Sequence, residues 1–252
     1  MRCKYLDHQI NVRTDGQYRL CCMSLEPEND YNIKTHTPQE WHGSEFHKKT
    51  REQMERNEWP DACTRCEQME KQGLTSQRLK LKAYGPGLSH LDLRLGNSCN
   101  LKCISCWHMS SSSIAEEAIA MQKEGITPLH GILDVPNFNW SSEETFDKLL
   151  ELPIQEVYFT GGEPMMVKHL PAFLERLDPD TQIRFNTNCT IWNPKLEKLL
   201  RKFRMVIMSL SLDATDRRID YIRHGSKWKE IIEPNLHSCL LYTSPSPRDA
   251  QL

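Results

Sequence analysis

Two things are scarce in this 252-residue chain: an excess of charge of either sign, and any long apolar run. Lysine plus arginine number 32 and aspartate plus glutamate 34, a net charge of −2. That balance removes the electrostatic case for nucleic acid as a main partner. The longest apolar stretches, such as residues 205–212, are far too short to span a bilayer, and residues 1–20 lack the apolar core of a secretory signal. The expectation is a cytoplasmic protein with no membrane partner, long enough for one large domain or one domain plus a small module.

Cysteine is abundant, with ten residues. Without a signal peptide, clustered cysteines point to metal rather than disulfides. The densest array is Cys99-Asn-Leu-Lys-Cys103-Ile-Ser-Cys106, directly after an apolar run at 91–95. Three thiolates can hold one metal centre, and a cubane iron-sulfur cluster held by three cysteines rather than four keeps one iron open to a substrate. The same residues with His108 could instead close a structural zinc site.

A second set lies upstream. Ile10, Val12, Tyr18 and Leu20 alternate about Thr14-Asp15-Gly16, which predicts a hairpin with the glycine at positive φ. The hairpin brings Cys3 and Cys21 to one end. A helix is expected over 38–56, with Trp41, Phe46 and Met54 as its apolar positions, followed by Cys63-Thr-Arg-Cys66. Two pairs make four ligands, for an iron-sulfur cluster or a zinc knuckle. Cys22 is an adjacent substitute for Cys21, and Cys189 is a lone thiol of the kind usually buried.

Beyond the turn-rich linker 83–87, strand and helix signals alternate, arguing for β/α units around a parallel sheet. Strands are expected at 91–95, 156–160, 182–186 and 205–212, and helices at 114–123, 142–152 and 194–203. A longer irregular connection covers 125–142. The second strand runs into Gly161-Gly162-Glu163-Pro164, which read alone is an ordinary strand-to-helix turn with proline at the helix start.

The Cys99/Cys103/Cys106 array, one β/α unit before Gly161-Gly162-Glu163-Pro164, resembles the radical S-adenosylmethionine (radical SAM) superfamily. The resemblance implies an α/β fold: a six-stranded partial TIM barrel, here only its first four β/α units, preceded by a small α+β cluster-binding module. It further implies a 4Fe-4S cluster on the three cysteines that cleaves S-adenosylmethionine to a 5'-deoxyadenosyl radical, with a flavodoxin- or ferredoxin-like electron donor. Gly161, Gly162, Glu163 and Pro164 would contact the cofactor, joined by Asn188, Ser209, Ser211, Asp213 and Arg223 at later strand ends. The family's usual aromatic before the third cysteine is replaced by Ser105, with Trp107 after it. Residues 1–85 resemble the SPASM and twitch auxiliary modules, implying a second 4Fe-4S cluster on Cys3, Cys21, Cys63 and Cys66. By analogy with enzymes carrying such modules, the expected substrate is a peptide or protein. Alternatives are a small-molecule substrate within the same chemistry and a non-catalytic zinc-binding interaction module. Residues 239–252 resemble a translated sequencing adapter, so 86–238 is expected to be a C-terminally truncated core with strands five and six missing.

Overall fold

The computed structural model describes residues 1–80, 86–128 and 138–237. Helix α1 (Lys4–His8) leads into β1 (Gln9–Val12), which pairs antiparallel with β2 (Tyr18–Arg19) across a turn where Gly16 takes φ +87°. The expected helix over 38–56 is two: α2 (Pro38–His42) and α3 (Glu45–Glu55). The break has a local cause. Gly43 ends α2, and the Ser44 side chain accepts from the His47 backbone N–H to cap α3. A 3-10 turn at Asp61–Cys63 and α4 (Thr64–Lys71) carry the Cys63/Cys66 pair.

The main sheet continues with β3 (His90–Arg94). After β4 (Lys102–Cys103), α5 (Ser112–Lys123) and α6 (Glu143–Leu150) come β5 (Glu156–Thr160), α7 (Leu170–Arg176), β6 (Gln182–Thr187), α8 (Pro194–Leu200) and β7 (Val206–Leu210). Last are α9 (Arg217–Ile222), β8 (Arg223–His224) and one turn of π-helix at Trp228–Ile232. The six strands lie in the order β2-β1-β3-β5-β6-β7, all parallel except β2. The four expected parallel strands are therefore present, within a residue or two of their expected ends. Residues 1–85 were expected as a separate module, but β1 pairs with β3, so the sheet runs across that boundary. The adapter-like tail falls outside the described residues.

Alternation along the strands gives the sheet two unlike faces. Leu91, Leu93, Val157, Phe159, Ile183 and Phe185 turn to one side and are fully buried. There they join Phe146 and Leu149 of α6, Phe173 and Leu174 of α7, and Leu196 and Leu200 of α8 in a single core. Phe173 stacks on Phe146 with ring centroids 4.4 Å apart and meets Phe159 edge-on at 6.1 Å. The opposite face carries His90, Asp92 and Arg94, then Glu156, Tyr158 and Thr160, then Gln182, Arg184 and Asn186. These nine line a cavity of about 1020 Å³. Among the described residues, no helix is long and apolar enough to cross a membrane.

Candidate active site

The Cys99–Cys106 loop leaves the C-terminal end of β3 and is tied down by the serines that begin α5. Ser112 exchanges hydrogen bonds with the backbone N–H and C=O of Cys99, both at 3.2 Å, and Ser113 Oγ donates to the same carbonyl at 2.8 Å. Ser111 donates to Leu101 O at 2.6 Å while capping the helix. The serine run that caps α5 therefore also fixes the cysteine loop. Cys99, Cys103 and Cys106 line one cavity of about 230 Å³ with Gly161, Gly162 and Asn188. Trp107 is 46% exposed and does not line it, whereas Ser105 does. His108, needed as the fourth ligand of a zinc site, also lies outside that lining.

The glycines of Gly161-Gly162-Glu163-Pro164 are required by a neighbouring loop. A Cβ on Gly162 would lie 2.2 Å from Ser98 O, and one on Gly161, at φ +119°, would lie 2.8 Å from Gly96 O. Gly162 N–H donates to Gly96 O at 2.9 Å and Glu163 N–H to Ser98 O at 2.7 Å, so the two motifs are laced backbone to backbone. Glu163 is 1% exposed and does not line the cavity. Its carboxylate accepts from Met165 N–H, Thr187 Oγ1 and Asn188 N–H at 3.1, 2.8 and 2.7 Å. Burial pushes its pKa up and these bonds oppose the shift. Glu163 thus braces the ends of β5 and β6. Pro164 is buried and opens a 3-10 turn, and neither it nor Glu163 lines the thiol cavity.

Asn188 does line the cavity, and its Nδ2 stands 3.8 Å from Cys99 Sγ. Next to it Cys189 is buried with φ +60°, a left-handed conformation usually left to glycine. Ser211 and Arg223 also line the cavity; Ser209 and Asp213 do not. Arg223 is placed by a pairing across 120 residues, in which β4 and β8 run antiparallel with Cys103 opposite Arg223. Its guanidinium lies 3.8 Å from Cys103 Sγ and pairs with Asp213 at 2.7 Å. Asp213 orients Arg223 without facing the cavity. Burial raises the Cys99 and Cys103 thiols, and Arg223 opposes the shift at Cys103.

Cys3, Cys21, Cys63 and Cys66 converge on a second, almost wholly apolar cavity, with Leu6, Leu20 and Met54. Burial pushes the Cys63 thiol up to about 12, helped by the nearby Cys3 and Cys66. Cys22 instead faces the polar cavity, so Cys21 is the member of the adjacent pair that joins the other three. Among the described residues no three His, Cys, Asp or Glu side chains converge tightly enough to share one metal ion. A single zinc asks for such convergence. A four-iron cube, which takes each cysteine on a different iron, does not. The Cys99/Cys103/Cys106 set, which would leave one iron open, has the donors such a cube takes.

The polar cavity itself escaped the sequence reading. Its signal was present: His90-Leu-Asp-Leu-Arg94, Glu156-Val-Tyr-Phe-Thr160 and Gln182-Ile-Arg-Phe-Asn-Thr187 alternate throughout, with charge on the face that an ordinary surface sheet would give to water. The cavity meets the thiol-lined one at Ser110, Thr160, Gly161 and Asn186, which line both.

A parallel sheet with an open three-cysteine loop at its strand ends defines a class, and a model of the radical SAM superfamily matches residues 93–234, more than half of the chain. The chain belongs to that superfamily of iron-sulfur enzymes. Among curated proteins it is similar to a probable GTP 3',8-cyclase of Methanocella arvoryzae, 28% identical over 141 residues covering 54% of this chain and 38% of the relative. A probable GTP 3',8-cyclase of Archaeoglobus fulgidus is 23% identical over 163 residues, 64% of this chain and 48% of the relative. The GTP 3',8-cyclase of Thermodesulfovibrio yellowstonii is 29% identical over 140 residues, 53% and 37%. The chain spans less than half the length of these relatives.

Proposed function

We propose that this chain carries the catalytic core of a radical SAM enzyme acting on a small polar molecule. The observation that carries the reading is the meeting of the thiol-lined cavity with the polar cavity at Gly161. Cys99, Cys103 and Cys106 would hold the open cluster, and Asn188 and Arg223, each 3.8 Å from a sulfur, would favour its thiolates. When bound, that cluster and S-adenosylmethionine supply an adenosyl radical, with the electron coming from a ferredoxin- or flavodoxin-like donor. Ser110, Ser211 and the Gly161-Gly162 turn would orient the cofactor so that its reactive carbon faces the polar cavity. Cys3, Cys21, Cys63 and Cys66 would hold an auxiliary 4Fe-4S cluster, in a module of SPASM or twitch type.

A small molecule takes precedence over the expected peptide for two reasons. The relatives are named for a reaction of GTP, and a cavity walled by charged side chains of a sheet interior suits a compact polar ligand. The test is 5'-deoxyadenosine formation by the reconstituted, reduced protein, offered cell extract split by size. Stimulation by the fraction below 1 kDa, lost in Cys106→Ala, supports the reading. Stimulation by the peptide fraction alone would return the substrate to peptides.

A further inference from the structure

The inner side of the cysteine loop is enclosed and its outer side is open to water. Cys103, Ser105 and Cys106 line the thiol cavity, whereas Ile104 between them is 66% exposed. The turn is closed by Cys106 N–H donating to Cys103 O at 3.0 Å. A second segment lies beside it: Ile104 N–H donates to Ile222 O at 2.9 Å, next to the pairing of Cys103 with Arg223. That bond brings the end of α9, where Tyr221 is 77% exposed, against Ile104. Large apolar side chains grouped in water over a reactive centre mark a contact surface.

The charges around this patch have one sign. Residues 93–115 contain no acidic side chain. Glu117 is taken by Lys102 at 2.6 Å and Asp216 by Arg218 at 3.1 Å. Arg217, four residues before Tyr221 and so on the same side of α9, makes no ion pair among the described residues. The patch is therefore apolar at its centre and positive at its rim, the layout that complements an acidic partner. Neither Ile104 nor Tyr221 lines the thiol cavity or the polar cavity, so an occupant of this face leaves the substrate side free.

We propose that Ile104, Tyr221 and Arg217 form the docking face for an acidic one-electron carrier protein of flavodoxin type. One electron leaves the carrier's reduced flavin and is taken up across the loop at the centre held by Cys99, Cys103 and Cys106, with no bond made or broken. The inference rests on the reading of those cysteines as a cluster site. Isothermal titration of the full chain with oxidised flavodoxin, at low and at high salt, tests the face whether or not a cluster is loaded. Wild type should bind at low salt and more weakly at high salt. Tyr221→Glu and Ile104→Glu should each weaken binding about tenfold, and Arg217→Glu should weaken it at low salt only. Freeze-quenched paramagnetic resonance of the reconstituted protein then follows the signal that the Cys99/Cys103/Cys106 triple-alanine variant lacks. Its reduction by flavodoxin should slow about tenfold in Tyr221→Glu, while its reduction by dithionite keeps the wild-type rate. Flavodoxin that does not bind wild type, or that binds and reduces Tyr221→Glu as it does wild type, overturns the proposal. So does an equal slowing with dithionite, the result expected if the patch packs against a further segment of polypeptide or a second copy of the chain. Reduction through this face of a cluster that S-adenosylmethionine leaves unperturbed would sink the enzyme reading alone.

Discussion

Asp92 shows what it costs to keep a polar face inside a fold. It is 5% exposed, and burial raises its carboxyl from 3.8 to about 6, an effect only partly offset by Arg94, Asn11 and Arg184. Because the folded state binds this proton more tightly than the unfolded one, the contribution of Asp92 to stability is greatest below about pH 4 and is lost as pH rises through 6. The full loss is about 3 kcal/mol. Asp92→Asn should therefore be more stable than wild type at pH 7 by up to that amount, with the gap narrowing toward pH 4. Urea denaturation at the two pH values checks this, and a gap independent of pH would contradict it. Glu163 is buried and raised in the same direction, yet its three hydrogen bonds give it a bracing role. The sequence pointed to Glu163 as a cofactor contact and did not single out Asp92. Whether a carboxylate faces a cavity or two strand ends depends on which loop lies against it.

At the scale of elements, the site is two loops laced together. Gly162 meets the Ser98 backbone so closely that Gly162→Ala should cost roughly 2–3 kcal/mol and lower the iron bound at Cys99, Cys103 and Cys106. Melting and iron content measured on one preparation check it; an unchanged melting temperature would show that the loops part freely. The glycines were legible in the sequence, but their partner was not, since a strand-to-helix turn read alone does not say which loop lies against it. The β4–β8 pairing was illegible for a plainer reason: two-residue strands 120 positions apart carry no periodicity. Strands of five or six residues, such as Glu156–Thr160, have enough alternation to be read directly. The break between α2 and α3 was written in Gly43-Ser44, but the apolar spacing of Trp41, Phe46 and Met54 masked it.

Across the whole molecule, three cavities form a chain. The Cys99/Cys103/Cys106 cavity meets the polar cavity at Gly161, and Tyr5 lines both the polar cavity and the four-cysteine one. Cys21 and Cys22, adjacent in sequence, face opposite sides of that last partition. The hairpin alone placed Cys3 beside Cys21, because a hairpin fixes where its ends lie; that Cys63 and Cys66 line the same cavity was implied by the resemblance and not by spacing. Nor could spacing foresee that the hairpin joins the main sheet and walls the central cavity, which requires the β1–β3 pairing. The most direct test of this arrangement is electron paramagnetic resonance of the anaerobically reconstituted, reduced protein, with and without S-adenosylmethionine, in wild type and in the variant with Cys99, Cys103 and Cys106 all changed to alanine. Wild type should give two 4Fe-4S signals, of which the one perturbed by S-adenosylmethionine vanishes in the variant while the other survives. A folded protein that binds zinc and no cluster, or a signal indifferent to S-adenosylmethionine, would contradict it.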